Sequence, residues 1–117
     1  IMDTTLYGGL PYYFYSGQYI TFEDTPIIPI TYEKVTDLQI NMVSTYSNGP
    51  LADLSIWLWD FNTGTWQILD DLIWGANSIP DPARFVSAYG TVRMKLEGMS
   101  AQGTSVDKIG ISLEVER

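Results

Sequence analysis

Apolar and polar residues alternate with a period of two along most of this chain. In "QYITFED" Ile20 and Phe22 face one way, and Tyr19, Thr21 and Glu23 face the other. In "YEKVTDLQINMVSTYS" Leu38, Ile40 and Met42 alternate with Gln39, Asn41 and Val43. "TVRMKLEG" sets Val92, Met94 and Leu96 against Arg93, Lys95 and Glu97. "VDKIGISLEVE" turns Ile109, Ile111, Leu113 and Val115 inward, with Lys108, Ser112, Glu114 and Glu116 outward. Successive strand side chains point to opposite faces, so each stretch predicts a half-buried strand. No segment carries a sustained helical repeat with caps.

Turn chemistry separates these stretches. "NGP" at 48–50 is a strong break, and "NTG" at 62–64 joins "LSIWLWDF" to "TWQIL" as a hairpin. Pro26 and Pro29 keep "TPIIPI" out of a central strand, at an edge or in a loop. Residues 1–17, "IMDTTLYGGLPYYFYSG", read as irregular, "DDLIWGANSIPDPA" as a loop on account of Pro80 and Pro82, and "MSAQGTS" as a turn. Seven or eight short strands with turns between them predict an all-β chain. The expected architecture is a two-sheet antiparallel β-sandwich of jelly-roll type. An immunoglobulin-like sandwich is the alternative, because periodicity does not choose strand order. With no repeat and no linker, residues 1–117 are expected to form one domain. The start at Ile1, with no initiator Met, suggests a processed or excised fragment, and the domain is expected to be one module of a larger protein.

One strand breaks the alternation. In "LSIWLWDFNTGTWQIL" Leu54, Ile56 and Leu58 share one face while Trp57 and Trp59 share the other, so both sides are apolar. A patch of this size rarely stays bare on a monomer. The two tryptophans are therefore expected to be covered by a loop or by the N-terminal aromatics, or to contact a partner. Trp66, just after the turn, is expected to pack across the hairpin.

Composition narrows the function classes. The 117 residues carry a formal charge of −8, which opposes nucleic acid and anionic membranes as partners. There is no Cys and no His, so disulfides, thiolate zinc sites, imidazole metal sites and Ser-His-Asp triads are excluded. No apolar run reaches the length of a membrane-spanning helix. None of the 14 acidic residues is marked out by motif as one of a glycosidase pair, and the expectation is a protein that is not an enzyme.

The order of elements over residues 52–116 resembles the galactose-binding-domain-like, carbohydrate-binding-module type of jelly roll. The stretches that carry it are "WDFNTGTWQIL", "ARFVSAYGTVRMKLEG" and "SVDKIGISLEVE". The resemblance implies an accessory module of an extracellular or cell-surface protein that binds a sugar or packs on a neighbouring domain. Calcium-bearing relatives hold a structural ion with acidic residues on the first and last strands. Glu23, Asp24 and Asp107 match that type, which implies a structural calcium ion.

Sugar chemistry then selects the ligand residues. A pyranose ring packs its C–H face on an aromatic ring, and neighbouring polar groups bind its hydroxyls. Trp74, Tyr12, Tyr13 and Tyr15 lie in loop-like stretches, where function concentrates. Asn77, with Asp70 and Asp71, lies near Trp74 in sequence, Arg84 is a candidate hydrogen-bond donor to ligand hydroxyls, and Trp57 and Trp59 complete the candidate set. The competing reading is that the loop rings cap the core. Likewise, the row of Arg93, Lys95 and Glu97 reads as a solvated face with cross-strand ion pairs. The functional expectation is a non-catalytic module that recognises a neutral glycan through aromatic stacking. The alternative is a structural or assembly domain whose aromatic surface makes protein contacts, self-association included.

Overall fold

A computed structural model describes residues 2–7, 12–25, 33–45 and 49–116, with the backbone alone described at 2–7, 12, 13, 22 and 24. The strands in chain order are β1 (Met2–Tyr7), β2 (Tyr12–Phe14), β3 (Tyr19–Asp24), β4 (Lys34–Val43) and β5 (Leu54–Asp60). They continue with β6 (Thr65–Ile68), β7 (Gly75–Ser78), β8 (Val92–Gly98), β9 (Thr104–Val106) and β10 (Lys108–Glu116). Among the described residues the one helical element is a 3-10 turn at Pro82–Phe85.

Two four-stranded sheets run β1-β10-β4-β7 and β3-β8-β5-β6, and β2 pairs with β9 as a separate ribbon. Every pairing is antiparallel. The pairs β1–β10, β3–β8, β4–β7 and β5–β6 are nested like the two arms of one long hairpin. That hairpin is folded over, so β10 also meets β4 and β8 also meets β5. This is the strand order of a jelly roll. An immunoglobulin sandwich groups its strands differently.

The core is the predicted one. Leu38, Ile40 and Met42 of β4 and Ile109, Ile111 and Leu113 of β10 are buried on one sheet. Ile56 and Leu58 of β5 and Val92, Met94 and Leu96 of β8 are buried on the other. β4, β5 and β8 are buried at every second residue over that span, which is the pleat expressed as a sequence period, and β10 adds a buried Gly110 between Ile109 and Ile111.

Three stretches fold differently from expectation. Residues 1–17 are not irregular throughout: β1 pairs with β10 from Met2 to Tyr7, and β2 pairs with β9. The segment read as a loop around Trp74 contains β7, which pairs with β4 over Gln39–Met42. The expected turn after β8 runs into β9. β1 and β7 are both edge strands, and β2 and β9 are three residues each. Short and edge strands can be polar, so the alternation signal is weak in them. The proline-rich residues 26–32 lie outside the described residues.

Candidate functional site

The parity of β5 places its tryptophans outside. Leu54, Ile56, Leu58 and Asp60 are buried, while Ser55, Trp57 and Trp59 are half-buried on the outer face of the β3-β8-β5-β6 sheet. Register then brings partners from three strands. Trp59 stands opposite Trp66, and Trp57 opposite both Ile68 and Lys95. Glu23 stands opposite Arg93, and Tyr19 opposite Glu97.

These neighbours form one packed layer. Trp59 and Trp66 meet edge to face, with ring centroids 5.3 Å apart and planes at 79°. The Lys95 ammonium lies 4.5 Å from the Trp57 ring, 5.8 Å from Trp66 and 5.9 Å from Tyr19. The Arg93 guanidinium lies 5.5 Å from Phe61 and 5.9 Å from Trp59, and its Nε is 2.6 Å from the Glu23 carboxylate. Cations from the adjacent strand therefore provide much of the cover that Trp57 and Trp59 need. Their alkyl stems shield apolar surface while the charges interact with the ring faces. Tyr19 remains 64% exposed. Glu23, Glu97, Arg93 and Lys95 balance in charge, so this face is locally neutral on an acidic chain.

The other expected ligand residues are dispersed. Trp74 is half-buried against the core, and its N–H donates to the Gly49 carbonyl at 2.8 Å. Tyr15 is exposed at the end of β2, where its N–H donates to Gln18 Oε1 at 3.1 Å. Tyr12 and Tyr13 sit in β2 opposite Val106 and Ser105, and their side chains lie outside the described ones.

Asn77 and Arg84 do share a site. A cleft of about 630 Å³ beside the edge strands β6 and β7 is lined by both, together with Gln67, Asp70, Asp71 and Asp81. Each has structural partners there. The Asn77 carbonyl accepts the Ile73 N–H at 2.8 Å, and its amide donates to the carbonyls of Ile73 (2.9 Å), Ile40 (3.2 Å) and Gly75 (3.2 Å). Arg84 is held by Asp60, with Asp81 3.7 Å away. Both residues build the cleft wall.

The three acidic residues matched to a calcium site are also engaged or dispersed. Glu23 is paired with Arg93 on one sheet. Asp107, just before β10 of the other sheet, accepts from the backbone N–H and the hydroxyl of Thr45. The Asp24 side chain lies outside the described ones. Among the described residues, no three acidic, His or Cys side chains gather as a metal site.

Sequence reading missed Asp60. Its carboxylate is fully enclosed and accepts the N–H groups of Asn62 (2.8 Å) and Thr63 (3.2 Å). Its other oxygen accepts Arg84 Nε at 2.7 Å and Arg84 Nη2. Burial pushes this carboxyl up. The Arg84 hydrogen bonds, the two turn N–H groups and the Arg84 charge outweigh it and hold the group below its ordinary value. Two signals were present in the chain. Asp60 continues the inward parity of Leu54, Ile56 and Leu58, and an Asp two residues before Asn62, at the head of Asp-Phe-Asn-Thr-Gly, favours a side-chain-closed turn.

A family model described as a domain of unknown function (DUF8815) matches residues 3–115. The chain belongs to the DUF8815 family. No curated protein and no solved structure matches this DUF8815 chain. The family is not a named carbohydrate-binding one. What the DUF8815 domain shares with the resemblance over residues 52–116 is its all-β, two-sheet antiparallel architecture.

Proposed function

We propose that this DUF8815 domain is a non-catalytic carbohydrate-binding module of the galactose-binding-domain-like type, which recognises a neutral glycan on the outer face of the β3-β8-β5-β6 sheet. One observation carries the reading: on that face the partly exposed rings of Tyr19, Trp57, Trp59 and Trp66 are interleaved with Glu23, Arg93, Lys95 and Glu97. The rings offer apolar contact for sugar C–H groups, and the charged groups offer donors and acceptors for hydroxyls. Aromatic surface with a few placed polar groups is the usual composition of a small-ligand site. The balanced charge favours an uncharged ligand. In this reading the domain is an accessory module of an extracellular or cell-surface protein. A calcium ion is left out of the proposal, because Glu23 and Asp107 lie in different sheets with partners of their own.

The test is intrinsic tryptophan fluorescence, titrated with soluble cello-, xylo-, manno- and galacto-oligosaccharides. The expected result is a saturable spectral shift with at least one series, lost in Trp66→Ala. If no oligosaccharide shifts the spectrum, none retards the protein in glycan affinity gels and no insoluble polysaccharide retains it, the proposal fails.

A second reading has its own observation. Tyr19 and Ile68, 64% and 47% exposed, widen the apolar surface around the rings, and a protein partner or a second copy could cover it. Light scattering that shows a dimer disrupted by Ile68→Glu would favour this reading.

A further inference from the structure

Lys95 has no carboxylate within ion-pair reach among the described residues. Three of the other described cations do: Lys34 lies 3.4 Å from Glu116, Arg93 pairs with Glu23, and Arg84 pairs with Asp60 and Asp81, while Lys108, exposed at the start of β10, is like Lys95 in having none. Instead Lys95 Nζ stands among three rings, those of Trp57, Trp66 and Tyr19. An ammonium group carries three N–H donors and no acceptor. Ring faces attract its charge, but they give its donors no oxygen.

The ring planes add a second constraint. A flat crystalline polysaccharide needs several coplanar rings beneath it. Here Trp59 and Trp66 are close to perpendicular, at 79°, and a cation stands 4.5 Å from the Trp57 ring. Such an uneven surface suits one chain, which can turn successive sugars to meet it.

We infer that Lys95 is the specificity-determining residue of this face, and that the ligand is a single soluble neutral glycan chain whose neighbouring hydroxyls accept hydrogen bonds from the Lys95 ammonium while its C–H face packs on the surrounding rings. This rests on the carbohydrate-binding reading above. It goes further by naming the residue that selects the sugar and the physical form of the polysaccharide. Truncated ligands that lack the hydroxyls facing Lys95 bind more weakly, because a charged donor pulled from water needs an acceptor.

The experiment is calorimetric titration of the wild type and Lys95→Met with the best-binding soluble oligosaccharide, alongside pull-down on microcrystalline cellulose and on chitin. Met keeps a stem that covers Trp57 and removes the donors. Lys95→Gln serves as a second variant, and thermal melting of each checks folding. The expected result is a roughly tenfold to hundredfold loss of affinity in Lys95→Met, the range of a hydrogen bond to a charged group. Lys95→Arg should keep most of the affinity, and neither solid should retain the protein. Unchanged affinity in folded Lys95→Met and Lys95→Gln overturns the role of Lys95 but leaves carbohydrate binding in place. Retention on a solid with no soluble binding overturns this inference, the role of Lys95 included, and leaves carbohydrate binding in place. Wild type that binds neither form overturns the underlying reading and this inference with it.

Discussion

Arg84 reaches from the 3-10 turn to the enclosed carboxylate of Asp60, where its Nε donates at 2.7 Å, and the Arg84 carbonyl accepts the Phe61 N–H at 2.8 Å. Two connections distant in sequence are thus clasped at the end of the β5–β6 hairpin. Removing Arg84 leaves the enclosed Asp60 charge without its counter-ion, and removing Asp60 leaves the half-buried guanidinium and the Asn62 and Thr63 N–H groups without their acceptor, each more harmful than replacing both partners by apolar residues. Arg84→Met and Asp60→Ala are each expected to lower the melting temperature by on the order of 10 °C. The double variant Asp60→Leu/Arg84→Met should recover part of that loss. A melting temperature for Arg84→Met equal to wild type would show that the clasp is incidental.

The same carboxylate sets an acid dependence. Its folded value lies below the ordinary 3.8, chiefly because hydrogen bonds to Arg84 and to the turn N–H groups outweigh the cost of burial. The stabilisation is therefore fully present above the unfolded value and is lost as pH falls through the folded one. Unfolding followed from pH 6 downward should show stability decreasing below about pH 4. In Asp60→Asn that decrease should be shallower. An identical slope in the two proteins would remove Asp60 as a source of acid sensitivity.

Much of the sandwich was legible because the long central strands are buried on one side only. Leu38-Ile40-Met42 and Val92-Met94-Leu96 declare their inner face in the sequence, and the core follows it. β1 and β7 were not legible. A strand at an edge needs less apolar surface, and "GANS" is held by pairing with β4, not by its own pattern. The site divides the same way. Parity put Trp57 and Trp59 on one face, but their packing depends on Lys95 and Arg93, which reach that face through the β5–β8 and β3–β8 register. Register is a long-range property. The structural partners of Asn77 and Arg84, the backbone around Ile73 and the Asp60 carboxylate, were likewise not legible from residue type alone.

Asn77 offers a direct check of the structural role of these bonds. It is 7% exposed, and its amide fastens the bend at Ile73–Gly75 to β4 through four hydrogen bonds. Asn77→Ala leaves the Ile73 N–H and several carbonyls without this partner, at a cost of about 2 kcal/mol. Asn77→Asp should cost at least as much, since a carboxylate cannot donate to those carbonyls. Urea denaturation measures both. A ligand-binding Asn would behave differently, with stability close to wild type and weakened binding.

Gly98 closes β8 where the chain from β2 crosses it. Its N–H donates to the Gln18 carbonyl at 2.8 Å, and its own carbonyl accepts the Gly17 N–H at 3.0 Å. A methyl group placed here would lie 2.8 Å from the Phe14 carbonyl carbon and closer still to the Tyr15 carbonyl oxygen. The obstruction is backbone, which cannot swing away as a side chain does. Gly98→Ala is therefore expected to destabilise by about 1–3 kcal/mol, the range for overpacking. Gly64 gives the contrast. Its φ is +69° with nothing within 4 Å of an added Cβ, so Gly64→Ala meets backbone strain alone, about 1–2 kcal/mol. The two costs separate on a second substitution. Gly64→Asn should be nearly harmless, because Asn tolerates the left-handed region. Gly98→Asn should be worse than Gly98→Ala, because its larger side chain meets the same wall. A Gly98→Ala protein with an unchanged urea midpoint would mean that residues 14–15 can move away from β8 at no cost.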